Sequence, residues 1–425
     1  MNQEQKSSIK NIKRLIWVYF LLLIFEGALR KWVLPGLAAP LLIIRDPVAI
    51  AMLFLALYHR LWKPNLYVSV MWIITLIGVC TALLFGHGYL SVALYGLRIT
   101  FFHFPIIFII GQFFEPGDLL KLGKILLWIT IGMTILVALQ FYSPQTAWVN
   151  RGIGGDMSGS GFSGAEGFYR VPGTFSFTNG LSYFYNLATC FIFYYLINKK
   201  TAIHKVLLYA TVIALIAAVP LTISRTVFFQ ICLTLFFIIL ASVKNRKLIF
   251  RIFGGIIVTI VMLLIMNNFY FFQTATSAFT TRFETANASE GGAVEGVLID
   301  RFLGGMLNAV ERGSDSFFGH GLGLGSQAGA KLAGSSGFLI SEGEWGRIIG
   351  EQGILFGLFL ILIRVVLGIN LLKSSWTQIR NENILPWILS SFGFVVVIQG
   401  QWAQPTTLGF AILTSGFILV AIKKG

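Results

Sequence analysis

The stretch Ser341–Ile369, SEGEWGRIIGEQGILFGLFLILIRVVLGI, decides the class of fold. Its first seven residues, Ser341–Arg347, close a polar excursion that begins near Tyr270, and the remainder re-enters an apolar run. Leu355 to Leu367 shows no apolar/polar alternation, so it does not read as a strand of a closed barrel. Backbone facing lipid must satisfy its own hydrogen bonds, which leaves the helix. The rest of the chain is equally apolar. Of 425 residues, 56% are hydrophobic and 12% charged, and the mean hydropathy is +0.80. An ordinary soluble domain carries about 25% charged residues.

Runs long enough to cross a hydrocarbon core of about 30 Å recur from end to end. They lie at 15–34, 41–58, 66–85, 90–111, 122–142, 175–197, 206–223, 226–242, 249–269, 347–369, 385–402 and 406–422. This pattern predicts an all-α, polytopic membrane protein of about twelve transmembrane helices. Residues 1–269 would hold helices one to nine with a smaller external loop at 143–174. Residues 270–346 would form a large external loop, and 347–425 helices ten to twelve. The first run follows Lys6, Lys10, Lys13 and Arg14 as in a secretory signal, but no small-residue cleavage site follows it cleanly, so it reads as an uncleaved first span. Cys80, Cys190 and Cys232 all lie inside apolar runs and suggest packing, without disulfide or metal-ligand spacing.

The formal charge of +15 is spread over many short loops and forms no single basic face, which speaks against nucleic acid and for topology. With the N-terminus inside, the cytoplasmic segments collect nineteen of the thirty-two Lys and Arg residues, and both termini are expected in the cytoplasm. Fourteen of those nineteen are Lys. The external side instead carries Arg30, Arg151, Arg170, Arg225, Arg282, Arg301, Arg312 and Arg347 against Lys31 and Lys331. The guanidinium fork matches phosphate oxygens bidentately, so an external phosphate-bearing ligand is expected. Pairing with acidic residues of the same loops is the plainer alternative.

Within the membrane, Glu26 and Arg30 are four apart, Arg45 adjoins Asp46, Arg98 and His103 share the fourth run, and Arg364 lies in the tenth. Such groups need partners or a wet cavity, and structural pairing between helices is the favoured account. The 143–174 segment is rich in Gly and Ser and reads as a flexible loop, either a mobile gate or a linker. Ser224-Arg225 interrupts the apolar pattern only briefly, so a tight turn holds Arg225 at the membrane surface, as phosphate ligand or as snorkelling anchor. In the large loop, residues 300–310 suggest an amphipathic helix, and FGHGLGLG at 318–325 suggests a tight backbone turn in which His320 is incidental. Glu342 and Glu344 precede the tenth helix, where they either cap its dipole or supply a base.

The order of these motifs resembles the bacterial O-antigen polymerases and O-antigen ligases, GT-C-type membrane glycosyltransferases (Wzy/WaaL-like). Four places carry the likeness: RVPGTFSFTN at Arg170–Asn179, Ser224-Arg225, Arg301 followed by FGHGLGLG, and Glu351-Gln352-Gly353 through Gly357. Together they cover roughly residues 165–360. Counting back nine residues from Glu351 reaches Glu342, where ligases of the family carry His, so the likeness tilts toward the polymerase branch.

The resemblance implies an O-antigen or exopolysaccharide polymerase at the outer face of the bacterial inner membrane. It would transfer glycan from undecaprenyl or another polyprenyl diphosphate to an acceptor sugar, inverting and metal-independent, with no cofactor. Arg170, Arg225, Arg301 and Arg347 would hold the diphosphate, Arg225 also counting as catalytic, and Glu342, or Glu344 in its place, would be the base. The expected partners are the lipid-linked oligosaccharide, membrane lipid and a chain-length regulator of the same pathway. A ligase loading polymer onto a lipid core and a lipid-linked oligosaccharide flippase are the alternatives; a flippase would show two matching halves, whereas the one large excursion here is late in the chain.

Overall fold

The computed structural model describes residues 3–198, 203–243, 265–266, 268–290, 317–334, 340 and 343–423. These residues form an all-α membrane protein whose one sheet is a two-stranded hairpin. In chain order the main helices are α1 (Gln3–Ala28), α2 (Arg45–Tyr58), α3 (Leu66–Leu84), α4 (Leu90–Phe113) and α5 (Pro116–Tyr142). The hairpin β1 (Phe162–Ala165) and β2 (Phe168–Arg170) comes next, and then α6 (Thr178–Ile197), α7 (Lys205–Leu221), α8 (Arg225–Ser242) and α9 (Tyr270–Glu290). The chain ends with α10 (Glu344–Gln378), α11 (Leu385–Gln399) and α12 (Pro405–Ile422).

Seven of these helices, α3, α4, α5, α6, α8, α10 and α12, are long and apolar enough to cross a membrane. An eighth candidate is the bent pair Pro35–Leu41 and α2, and the apolar helices α7 and α11 are shorter. The expected first span, α1, is not among them, because Lys13, Arg14 and Glu26 interrupt its apolar length. The expected ninth span, 249–269, lies largely outside the described residues. The start of the expected large external loop is itself a helix, α9, which packs on α7 and on β1.

Burial sorts the helices into inner and outer ones. α6 and α12 are surrounded by protein, with 83% and 78% of their apolar windows buried, whereas α3 is 39% buried and turns Leu66, Ile73, Leu76 and Leu84 outward. An outer helix can present Leu and Ile to lipid at no cost, so only its inner stripe needs small or polar side chains. Local signals set several helix starts. Asn65 caps α3 by accepting from the Val68 N–H, and α5 opens on Glu115-Pro116 with a capping box to Asp118. Lys13 binds both of those carboxylates, at 2.9 and 2.8 Å, and so fixes α1 against α5.

The 143–174 segment is not the flexible loop its composition suggests. It is folded through short 3-10 turns and the hairpin, and Asn150, fully buried, donates to the carbonyls of Gln140, Ser143 and Pro144. Glycine there serves turns with positive φ, and the polar side chains are consumed in backbone bonds, so composition alone misreads a compact fold as a linker.

Candidate functional site

The turn between α7 and α8 is as tight as the sequence suggested, with Thr222, Ile223 and Ser224 alone between the two helices. Ile223 adopts φ +46° while buried, a conformation that a β-branched residue rarely takes. Local strain of this kind collects where surrounding structure fixes a working side chain. Ser224 anchors the turn by sharing a hydrogen bond of 2.9 Å with Ser182 on α6, and Arg225 follows as the first residue of α8. A helix N-terminus points its unsatisfied N–H groups and its positive dipole end toward whatever lies there, which favours an anion.

Two further guanidiniums are electrostatically linked to this turn. Arg170 ends β2, and Arg282 sits on α9; the charges of Arg282 and Arg225 both act on Arg170. Burial, and then repulsion from those two cations, holds the Arg170 guanidinium below the usual arginine range. Its Nε is buried without a hydrogen-bond partner among the described residues. α9 is fastened over this site by two sets of contacts. Phe279 and Phe283 pack against Phe228 on α8, with Phe283 also touching Phe229, and Ser277 and Thr281 donate to the Glu166 carboxylate of the hairpin turn at 2.9 and 2.7 Å. Arg225 and Arg282, on two separate helices, both repel Arg170, and an anion of high charge density bound beside Arg170 would offset that repulsion.

The second polar centre is buried among α10, α11 and α12. Glu344 Oε2 accepts from Arg347 Nε at 2.9 Å, and its Oε1 accepts from Arg347 Nη2 at 3.0 Å and Arg364 Nη1 at 2.6 Å. Arg347 Nη1 reaches Glu351 Oε2 at 2.6 Å, and the other Glu351 oxygen accepts from the Gly325 N–H at 2.9 Å. Arg364 also donates to the carbonyls of Val397 and Gly400 and lies 3.9 Å from the centre of the Trp402 ring. Two carboxylates and two guanidiniums thus neutralise one another.

This arrangement bears on two expectations. Arg347 already engages Glu344 and Glu351 through all three of its nitrogens, so a diphosphate would have to compete with those two carboxylates for its fork. Glu344 is poorly placed as a base, because both its oxygens are held by Arg347 and Arg364 in a buried setting. Glu342 and Arg301, the other base and the other diphosphate ligand expected from sequence, lie outside the described residues, as does the expected helix at 300–310. Of the expected ligands, Arg170 and Arg225 come together. Arg282 joins them; sequence counted it among the external arginines but gave it no role, and its excess over external Lys was the signal that could have found it.

No protein-family model matches the chain, and no curated protein matches it.

Two of the quoted motifs nevertheless form one unit. Gly353 breaks α10 with φ +74°, and a Cβ there would strike the Phe317 carbonyl. The backbone N–H groups of His320 and Gly321 donate to the carbonyls of Gly350 and Glu351 at 2.7 and 3.0 Å. FGHGLGLG and the Glu351-Gln352-Gly353 segment therefore interlock through backbone. His320 itself is exposed.

The N-terminal ionisable groups are structural pairs: the expected Glu26–Arg30 pair forms, whereas the neighbours Arg45 and Asp46 take other partners. Arg45 lies 3.8 Å from Glu26, not paired with the adjacent Asp46, while Asp46 binds Arg98 at 3.0 Å and His103 at 2.8 Å. Glu26 also meets Arg30 at 3.3 Å. Among the described residues no three His, Cys, Asp or Glu side chains converge as metal ligands.

Proposed function

We propose that the protein is a polysaccharide polymerase that joins glycan units carried on polyprenyl diphosphate, at the outer face of the bacterial inner membrane. The observation that carries this reading is that Arg225, at the start of α8, and Arg282, on α9, both lie within electrostatic reach of Arg170, in a chain that is otherwise built to sit in lipid. A polyprenyl diphosphate has its isoprenoid chain in the bilayer and its charge at the surface, which is the combination such a site suits. The order of the quoted motifs supports the same reading, and the interlocked FGHGLGLG and Glu351-Gln352-Gly353 segments add that two of them belong to one structural unit.

In the proposed reaction an acceptor sugar hydroxyl attacks the anomeric carbon of the donor. The new C–O bond forms on the face opposite the breaking bond to the diphosphate, and the configuration inverts. Negative charge grows on the departing diphosphate, and the three arginines are placed to stabilise it more strongly in the transition state than in the ground state. The hydroxyl proton passes to a carboxylate, for which Glu342 is retained as the candidate. Neither a nucleotide nor a redox cofactor enters this balance.

The test is the purified chain in lipid nanodiscs with polyprenyl-diphosphate-linked repeat units, read by gel ladder and mass spectrometry. A ladder spaced by one repeat is the expected result. Transfer only when a lipid core acceptor is present would replace polymerase by ligase, and no transfer under either condition would sink the enzyme reading in favour of a flippase.

A further inference from the structure

The segment that carries Arg170 is gripped by the end of α1 and the end of α5. Lys31 has no exposed surface; its Nζ donates to the Gly173 carbonyl at 2.6 Å and lies 4.6 Å from the centre of the Trp32 ring. Among the described residues no carboxylate pairs with it. A buried ammonium without a counter-charge is costly, so its single direct bond to a backbone carbonyl calls for a reason. Gln140, also without exposed surface, holds the same residue from α5. Its Oε1 accepts from the Gly173 N–H at 2.8 Å and its Nε2 donates to the Gly173 carbonyl at 3.3 Å.

The neighbouring residues are fixed by the same helix end. Thr174 Oγ1 donates to the Ile24 carbonyl at 2.6 Å, and Arg30 donates to Ser176 Oγ at 2.8 Å. Gly27 lies so close to the backbone of Thr174–Ser176 that a Cβ would collide with it. Arg30 and Lys31 sit where α1 loosens into a π turn over Leu29–Val33, and π turns inserted in α-helices collect at functional sites.

We infer that Lys31, together with Gln140, is a positioning residue that fixes Val171–Ser176 and thereby aims Arg170 at the donor diphosphate. The diphosphate role rests on the polymerase reading; the grip on Arg170 does not. The experiment therefore reads both. Arginine-selective glyoxal labelling of the full chain, followed by peptide mass spectrometry, reports the freedom of Arg170 with no reaction involved, and the exposed Arg60 and Arg380 serve as internal controls.

Lys31→Met is expected to speed labelling of Arg170 by about threefold or more while leaving Arg60 and Arg380 unchanged, as local opening frees a held segment. Lys31→Gln retains an N–H donor and should restore the wild-type labelling rate. In the polymerisation assay Lys31→Met should lower kcat by about tenfold with a smaller change in KM, because orientation at the reacting centre is lost while binding contacts remain. Unchanged Arg170 labelling in folded Lys31→Met protein, or equal acceleration in Lys31→Gln, overturns the inference. If Lys31→Met yields no folded protein, Gln140→Leu decides in its place: it loses both the acceptor for the Gly173 N–H and the donor to the Gly173 carbonyl and adds no charge beside Lys31, and unchanged Arg170 labelling again overturns the inference. A labelling shift in a wild-type background that never polymerises would uphold the grip and overturn the diphosphate role.

Discussion

Glu344→Gln separates a structural carboxylate from a catalytic one. In the structure Glu344 takes three charge-assisted hydrogen bonds, two from Arg347 and one from Arg364, and its side chain is buried. Arg347 would keep Glu351 at 2.6 Å after the substitution, but Arg364 would lose its carboxylate partner and keep only neutral acceptors, the carbonyls of Val397 and Gly400 among them, and the Trp402 ring. The balanced set of two carboxylates and two guanidiniums becomes a buried net cation. Removing one partner of such a set costs about 3–5 kcal/mol, since the remaining charge has neither water nor counter-ion. The double variant Glu344→Gln with Arg364→Met restores neutrality, and the non-additivity of paired sites predicts recovery of about 0.5–3 kcal/mol relative to the sum of the single changes. Unfolding in mild detergent, followed by intrinsic Trp fluorescence and compared at equal lipid content, measures both effects. If Glu344→Gln unfolds within about 0.5 kcal/mol of wild type, the scatter expected of a neutral substitution, yet loses polymerisation, then Glu344 is a catalytic group and the structural assignment is wrong.

Other substitutions address the remaining claims. Arg225→Lys keeps the charge at the start of α8 but not the planar fork, so polymerisation should fall by about 10–100-fold, the worth of one charged hydrogen bond; full activity would remove Arg225 from the diphosphate site. Arg282→Gln takes away one of the two cations that press on Arg170, and donor affinity measured with a fluorescent lipid diphosphate should weaken by about 10-fold or more; unchanged affinity would exclude Arg282. Gly353→Ala forces a Cβ toward the Phe317 carbonyl at a positive φ and should destabilise the chain by at least about 1–3 kcal/mol in the same unfolding assay. Glu166→Ala removes the acceptor shared by Ser277 and Thr281, and hydrogen exchange across 270–285 should accelerate several-fold while that of α6 stays slow.

The sequence by itself determined the class of the fold and most helix positions, because lipid accepts only backbone that satisfies itself, and that demand writes long apolar runs into the chain. It also marked the tight turn at Ser224-Arg225 and the excess of external arginine, both local properties of composition and spacing. Which arginines act together was not local. Arg170, Arg225 and Arg282 are separated by 55 and 57 residues, and only the packing of α9 on the hairpin and against Phe228 of α8 brings Arg225 and Arg282 within electrostatic reach of Arg170. Arg347 shows the converse. Its sequence position beside Glu342 and Glu344 suits a ligand, yet helical spacing to Glu351 and the return of Arg364 from the same helix close it into a neutral network. Charge is legible in a sequence, whereas the partner that neutralises or spares it is fixed by which helix faces meet, and in a membrane interior that partner decides whether a charged side chain holds the fold or remains available to a substrate.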